Sequence, residues 1–337
     1  MNSTESVSRA PNETGSDCHH FPDTTTTTLA VVISLVAFVT LFGNALVITL
    51  FITNKKVRSF GNYFILNLAI ADFIIGLSIC TYMPYFLTGC WKLGREGCKV
   101  FNLIDYVTPL ASAWNMAVIS LDRYFSVAYP IKYRLKQSPR LAMAFMAIPW
   151  LVGFLMFFPS TLFWEDMTGQ RMVPEGQCYV AFYANEGYLL FVSSMEFITP
   201  FVLVSTLNLL IYLNIRRRTR SMSPTTPAGN QVATISPPKT DQNRKAKEAL
   251  ARDKRTARSL AILVGVFFIT WAPYEVCALV NPICGFCIPD SIFDIVFWLL
   301  WINSTVNPIL YPFIQKRFRA GFAKMLCCSK IKVSEDD

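Results

Sequence analysis

Seven long apolar runs constrain this chain more than any other feature. They cover roughly residues 29–53, 62–87, 101–129, 142–163, 187–215, 258–281 and 291–314. Each is near or above the ~20 residues that a helix needs to cross a bilayer. Together they take over half of the 337 residues. What remains suits short loops and two tails, not a second globular domain. Only 16% of the chain is charged and 53% is hydrophobic. A soluble domain is about a quarter charged, and a disordered chain is poorer in apolar residues. The expected fold is an all-α membrane protein, a seven-transmembrane helix bundle over 29–314. A tail over 1–28 precedes it. A C-terminal part over 315–337 follows and begins with a short amphipathic eighth helix.

Charge and sugar sites give the orientation. The first 28 residues are polar and Ser/Thr-rich, without the apolar core of a signal peptide. They carry two glycosylation sequons, at Asn2 and Asn12. A third match, at Asn303, lies inside the seventh run and is discounted. With the N-terminus outside, the outer segments hold only Arg9, Lys92, Arg95, Lys99 and Arg171, and the other 26 of the 31 basic residues fall at the cytoplasmic end. That is the positive-inside pattern of a plasma-membrane protein. The net charge of +9 is mostly this bias and an attraction to anionic inner-leaflet lipid, so nucleic acid is not needed to explain it. The third inner loop, about 217–250, is rich in Pro, Ser, Thr and Gly with basic ends. This composition predicts disorder in its middle. Ser223 and Ser236 each precede a proline and suit a kinase as well as a plain spacer.

Topology also sorts the ten cysteines. Cys98, at the outer start of the third helix, and Cys178, in the second outer loop, meet an oxidising compartment. A bridge between them would pin that loop over the bundle mouth. Cys284 and Cys287 form a C-x-x-C in the last outer loop. No second pair or histidine lies nearby, so a small disulfide fits better than a zinc site or redox centre. Cys327 and Cys328 follow the amphipathic stretch and suit palmitoylation. Cys80 and Cys277 are read as packing residues, and Cys18 and Cys90 are unassigned.

Four carboxylates stand where the membrane penalises them, at ~2.5–3.5 kcal/mol each on insertion scales. They are Asp72 in the second run, Asp105 in the third, Glu196 in the fifth and Glu275 in the sixth. No Lys, Arg or His lies at their depth. His19 and His20, the only histidines, are both in the outer tail. Acids without internal partners call for a cation from outside; protonation or hydration is the plainer reading. The lack of a bundle histidine, of H-E-x-x-H and of G-x-S-x-G argues against an enzyme. An amine transporter is a further alternative, but an odd number of spans without an internal repeat argues against it.

Motifs now line up one per helix: Gly43-Asn44-Ala45-Leu46-Val47, LNLAIAD at 66–72, Asp122-Arg123-Tyr124, Trp150, Trp271-Ala272-Pro273-Tyr274 and Asn307-Pro308-Ile309-Leu310-Tyr311. With the Cys98/Cys178 pair, this series resembles the class A (rhodopsin-like) G-protein-coupled receptors from about residue 29 to 328. Asp105, eighteen residues before Arg123, has the spacing of the amine-binding aspartate of aminergic receptors. Glu196 resembles the fifth-helix acid of type 3 and type 4 histamine receptors. LTGCWKLGREGCK at 87–99, VPEGQCY at 173–179, IYLNIRRRTR at 211–220 and WLLWINSTVNP at 298–308 resemble type 3 especially. Asn208, where many relatives carry a tyrosine, fits that group. Muscarinic receptors are also similar, through DY at 105–106, CIPD at 287–290 and INSTVNP at 302–308. Their quaternary ligand, however, calls for an aromatic cage and not a second acid.

The resemblance implies a ligand site. Asp105 holds the ammonium of histamine and Glu196 its imidazole N–H, while Tyr106, Trp271, Tyr274, Trp298 and Trp301 wall the pocket. Trp114 and Trp150 are read as packing. Two departures stand out. Glu275 occupies a position expected to be neutral and pocket-facing, and Pro109 lies one turn below Asp105. Three acids would suit a diamine or polyamine. The resemblance also implies a sodium site of Asp72, Ser112, Asn303 and Asn307, with no structural metal or cofactor. It implies a switch in which Asp122 neutralises Arg123, Asp253 pairs with Arg123 across the third and sixth helices, and Tyr124, Asn307, Pro308 and Tyr311 complete the inner end. The sixth helix swings at the Pro273 kink, next to Trp271 and Phe267. The implied partners are a heterotrimeric G protein of the Gi/o class, receptor kinases and arrestin.

Overall fold

Inside a bilayer every backbone N–H and C=O must find a partner within the protein, and this chain meets the demand with helices alone. The computed structural model describes residues 21–169, 171–222, 239–285, 287–314 and 316–327. Among them there is no β-strand. The sequons at Asn2 and Asn12, the candidate phosphosites Ser223 and Ser236, and Cys18 and Cys328 lie outside the described residues.

The long helices are α1 (Asp23–Thr53), α2 (Phe60–Thr88) and α3 (Gly94–Ala128). The short inner helix α4 (Pro130–Lys136) leads to α5 (Pro139–Leu162), and α6 (Trp164–Thr168) caps it outside. Next, α7 (Glu186–Ser193) runs through one π-helical turn (Ser194–Ile198) into α8 (Thr199–Met222). Then come α9 (Lys239–Ile283), α10 (Asp290–Ile314) and α11 (Lys316–Cys327). At 1.5 Å per residue the 45 residues of α9 reach ~68 Å, about twice a hydrocarbon core, so its first half extends beyond the hydrocarbon layer.

Six of these spans are long and apolar enough to cross a membrane on their own. The exception is α3, which carries Asp105 and Asp122 and is buried at seventeen positions, more than any other single helix here. It is the central rod, so its polar residues face protein rather than lipid. Phe38, Leu155 and Ile269 are 62%, 72% and 64% exposed. Such a surface would aggregate in water; in a bilayer it is the lipid face.

Small residues and hydrogen bonds hold the rods together, as membranes require. A Cβ on Gly43 would sit 2.7 Å from the Pro308 ring, so only glycine lets α1 and α10 approach this closely. Thr40 and Thr305 hydroxyls meet at 2.7 Å across the same seam. Asn67 ties three helices: it donates to Asn115 of α3 (3.1 Å) and accepts from the Trp150 indole of α5 (3.0 Å). Trp150 is thus a hydrogen-bonding strut as well as a packing residue.

The outer lid follows the cysteines. Cys98 and Cys178 are bonded, as are Cys284 and Cys287, and Cys90 is disulfide-bonded too. Cys80 is a free, exposed thiol on the lipid side, not the packed residue expected, while Cys277 is free and half-buried. Around Cys178, Trp91 donates its amide to the Gly176 carbonyl (2.8 Å) and Tyr85 donates to Gln177 (2.8 Å). Arg95 pairs with Glu165 on the far side. The anchored loop then makes one 3-10 turn, Ala181–Ala184, that carries Phe182 and Tyr183 into the bundle. At the other end α11 packs its Phe318, fully buried, against Tyr311. Arg317 donates to the Lys56 carbonyl (3.2 Å).

Candidate functional site

Pro200 shapes the outer site through what it lacks. Without an N–H it cannot bond the Glu196 carbonyl four residues back, and the helix widens there into the π turn Ser194–Ile198. The amide of Thr199 reaches back to the Ser194 carbonyl instead. The Met195 carbonyl, released from the regular ladder, accepts the Trp114 indole N–H of α3 at 2.8 Å. So Trp114, expected only to pack, locks the turn that presents Glu196. Both Glu196 and Phe197 of that turn are buried.

Three acids converge here from three rods. Asp105 comes from α3, Glu196 from the π turn and Glu275 from α9. Glu196 is an electrostatic neighbour of both others. Tyr106, Tyr183 and Tyr274 stand among them. Glu196 is 7% exposed and Glu275 4%. Among the described residues no basic side chain pairs with either, and Glu196 accepts no hydrogen bond. The Ser193 hydroxyl stands beside Glu275.

Six buried polar atoms among the described residues lack a partner. Four of them belong to this region: Asp105 Oδ1, Tyr183 Oη, Trp271 Nε1 and Trp298 Nε1. Orphaned groups cost free energy, and here an acceptor, a hydroxyl and two indole N–H donors gather around three carboxylates. The aromatic wall is built around Tyr82, which sequence reasoning missed. Its ring lies 5.4 Å from Trp301, 5.3 Å from Phe297 and 6.4 Å from Trp298. It is also a neighbour of Asp105. Tyr82 stands ten residues after Asp72 on α2, a helix whose other motif residues all belong to the inner half.

Below the wall, a run of rings leads inward. Phe197 follows Glu196 and packs on Phe267 at 5.8 Å, and Phe267 packs on Trp271 at 5.0 Å. Deeper still, Asp72 is fully buried. It accepts from Asn307 at 2.8 Å and from Ser112 at 3.5 Å, with Ser304 beside it. Asn303 is not part of this group: it turns to the Thr270 hydroxyl of α9 at 3.0 Å. The expected ring of four therefore exchanges Asn303 for Ser304, one residue on and a hundred degrees round the helix.

The inner end corrects another expectation. Arg123 pairs with its neighbour Asp122 at 3.4 Å, but Asp253 pairs with Arg218 of α8 at 3.4 Å rather than with Arg123. The reason is the direction of the Arg123 side chain. A Cβ on Gly61 would lie 2.6 Å from its guanidinium and 2.8 Å from the Asp122 carboxylate, so both groups rest on the start of α2, away from α9. Tyr133 of α4 donates to Asp122 at 3.0 Å. Burial and that carboxylate push the Tyr133 phenol above its ordinary range, so it remains a donor. Asn208 of α8 donates to Ser120 of α3 at 3.3 Å. Tyr311 is 2% exposed, and among the described residues its hydroxyl has no partner.

Residues 43–311 match the family "7 transmembrane receptor (rhodopsin family)". The chain belongs to this family. It is 33% identical to the Histamine H4 receptor of Homo sapiens, over 91% of this chain and 93% of that receptor. It is 28% identical to the Muscarinic acetylcholine receptor M1 of Mus musculus, over 89% of each chain. The Muscarinic acetylcholine receptor M4 of Gallus gallus is 25% identical over 89% of each. The receptor is a G-protein-coupled, multi-pass membrane protein of the aminergic group, not an enzyme.

Proposed function

We propose that this receptor, with its N-terminus outside the plasma membrane, takes histamine as its agonist and signals through Gi/o to lower cyclic AMP. The observation that carries the reading is the buried Asp105 Oδ1, without a partner among the described residues, opposite a buried Glu196 on another rod that has no ion pair among them. Histamine has an ammonium for the first and an imidazole N–H for the second, and charge-assisted bonds of this kind strengthen where water is excluded. Binding draws the π turn toward α3. Phe197 then presses on Phe267 and Trp271, and α9 tilts at Pro273. That tilt breaks the Arg218–Asp253 pair and opens the inner face, where Arg123 and Tyr124 receive the G protein. Asp72, with hydroxyls from Ser112 and Ser304, offers hard oxygen donors to a sodium ion in the resting state. Asn307, Pro308 and Tyr311 carry that state to the inner end.

The test is cyclic AMP inhibition by histamine in transfected cells, on wild type and Glu196→Gln. A response that disappears in the variant supports the reading; an acetylcholine response indifferent to Glu196 overturns it.

Glu275 favours a second reading. A monocation that bridges Asp105 and Glu196 leaves this third buried carboxylate uncompensated, whereas a diamine neutralises it. Silence to histamine with a putrescine response that is lost in Glu275→Gln would decide for the diamine.

A further inference from the structure

Cys90 is disulfide-bonded, and the ten cysteines of the chain leave few candidates for its partner. Cys98–Cys178 and Cys284–Cys287 take four, while Cys80 and Cys277 are free thiols. Cys18, Cys327 and Cys328 remain. Distance removes two of them. The helix α11 ends at Cys327 and packs at the inner end of the bundle, where Gly321 abuts Leu50 and Arg317 donates to the Lys56 carbonyl. Cys90 lies past the opposite end of α2, whose 29 residues span ~44 Å. A disulfide needs Cα atoms within about 7 Å of each other, so neither Cys327 nor Cys328 reaches Cys90.

Cys18 does reach. It precedes Phe21 by three residues, a stretch of at most ~11 Å. The Phe21 ring lies 5.5 Å from that of Phe86 on α2, and Cys90 follows Phe86 by about one helical turn. The turn that carries Cys90 is fixed on both sides: Gly89 takes a left-handed φ of 71°, and the Trp91 amide donates to the Gly176 carbonyl at 2.8 Å. Phe86 in turn lies 5.1 Å from Trp298 and 6.4 Å from Tyr82. Phe21 is therefore the outermost ring of the aromatic wall. We infer that Cys90 is bonded to Cys18, and that this staple ties the outer end of α1 to that of α2 and holds Phe21 over the amine pocket, where it slows the escape of a bound amine. The effect on the amine rests on the function proposed above; the bond itself does not.

The experiment uses the full-length receptor from cell membranes, alkylated with iodoacetamide without reduction and digested for mass spectrometry. A peptide holding Cys18 should travel with one holding Cys90 and separate from it on reduction. Alkylated Cys18 and Cys90 would overturn the bond, as would Cys90 linked to any other cysteine or to a second copy of the chain. Dissociation of tritiated histamine is then timed on wild type, Cys18→Ser, Cys90→Ser and the double variant. Cys18 precedes α1, so its replacement leaves the helices intact even where Cys90→Ser fails to fold. Ordering one side chain is worth about two- to tenfold in affinity, so dissociation should quicken about two- to tenfold. The two single variants should match, and the double should go no further, because both remove one bond. Phe21→Ala should quicken dissociation with the linked peptide still present. A linked peptide with unchanged dissociation would overturn the role over the pocket, and additive single variants would overturn the pairing. Failure of wild type to bind histamine would defeat the amine reading alone. The linked peptide and an equal fall in Tm for both single variants would still decide the staple.

Discussion

Arg218 holds Asp253 at 3.4 Å and so fastens α8 to α9, while Arg123 stays with Asp122 on the other side of the inner face. The latch on α9 is thus separate from Arg123, the arginine proposed to meet the G protein. Asp253→Asn should therefore raise basal signalling with Arg123 untouched. The Arg218 side chain is 40% exposed, which limits such a pair to about 0.5–1 kcal/mol and the rise to about two- to fivefold. Basal cyclic AMP suppression at matched surface expression measures it. Arg123→Gln should abolish signalling without raising the basal level.

Ligand affinity should depend on both acids. Asp105→Asn and Glu196→Gln each remove one charge-assisted bond worth about 1.5–3 kcal/mol. Each should raise the histamine Kd by about ten- to a hundredfold in competition binding. If the Glu196 variant binds histamine as wild type does, the imidazole contact is elsewhere.

Trp114→Phe keeps an aromatic ring but leaves the Met195 carbonyl without its donor. A lost hydrogen bond costs about 1 kcal/mol. A modest fall in Tm is expected, together with a loss of amine affinity larger than that of Trp150→Phe, whose strut lies away from the π turn. Equal effects on affinity would show that the turn holds Glu196 without help from α3.

Sodium should lower agonist affinity in wild type and not in Asp72→Asn. Agonist competition in sodium chloride against N-methylglucamine chloride at equal ionic strength separates the ion from screening. Ser304→Ala should weaken the sodium effect, while Asn303→Ala should spare it, because Asn303 faces Thr270.

The bundle was legible in the sequence because span length and hydropathy are local properties, and the seven runs became the seven rods. Asp105, Glu196 and Glu275 were legible as acids at membrane depth. Their convergence was not, because it depends on the angular setting of three rods. The π turn at Glu196 had a signal in Pro200, but a missing N–H four residues on does not say how the helix will absorb it. Tyr82 carried no charge or motif to separate it from the other aromatics. The misreading of Asp253 had a definite origin: residue spacing along α9 says how deep the acid lies, but not whether Arg123 turns toward α9 or toward Gly61. Asn303 and Ser304 differ by one residue, and only the rotation of α10 decides which faces Asp72.

The length of α9 gives Pro273 mechanical advantage. The proline sits near the outer end of an uninterrupted rod, and Lys254 lies nineteen residues below it, ~28 Å away at 1.5 Å per residue. A tilt of about 10° at the proline displaces the inner end by ~5 Å over that distance. A ligand that shifts Trp271 by a fraction of a side chain's width thus moves Lys254 and Arg258 by a whole one. The small displacement at the amine is geared up, without any further conformational change, to the scale on which a protein partner is admitted or refused.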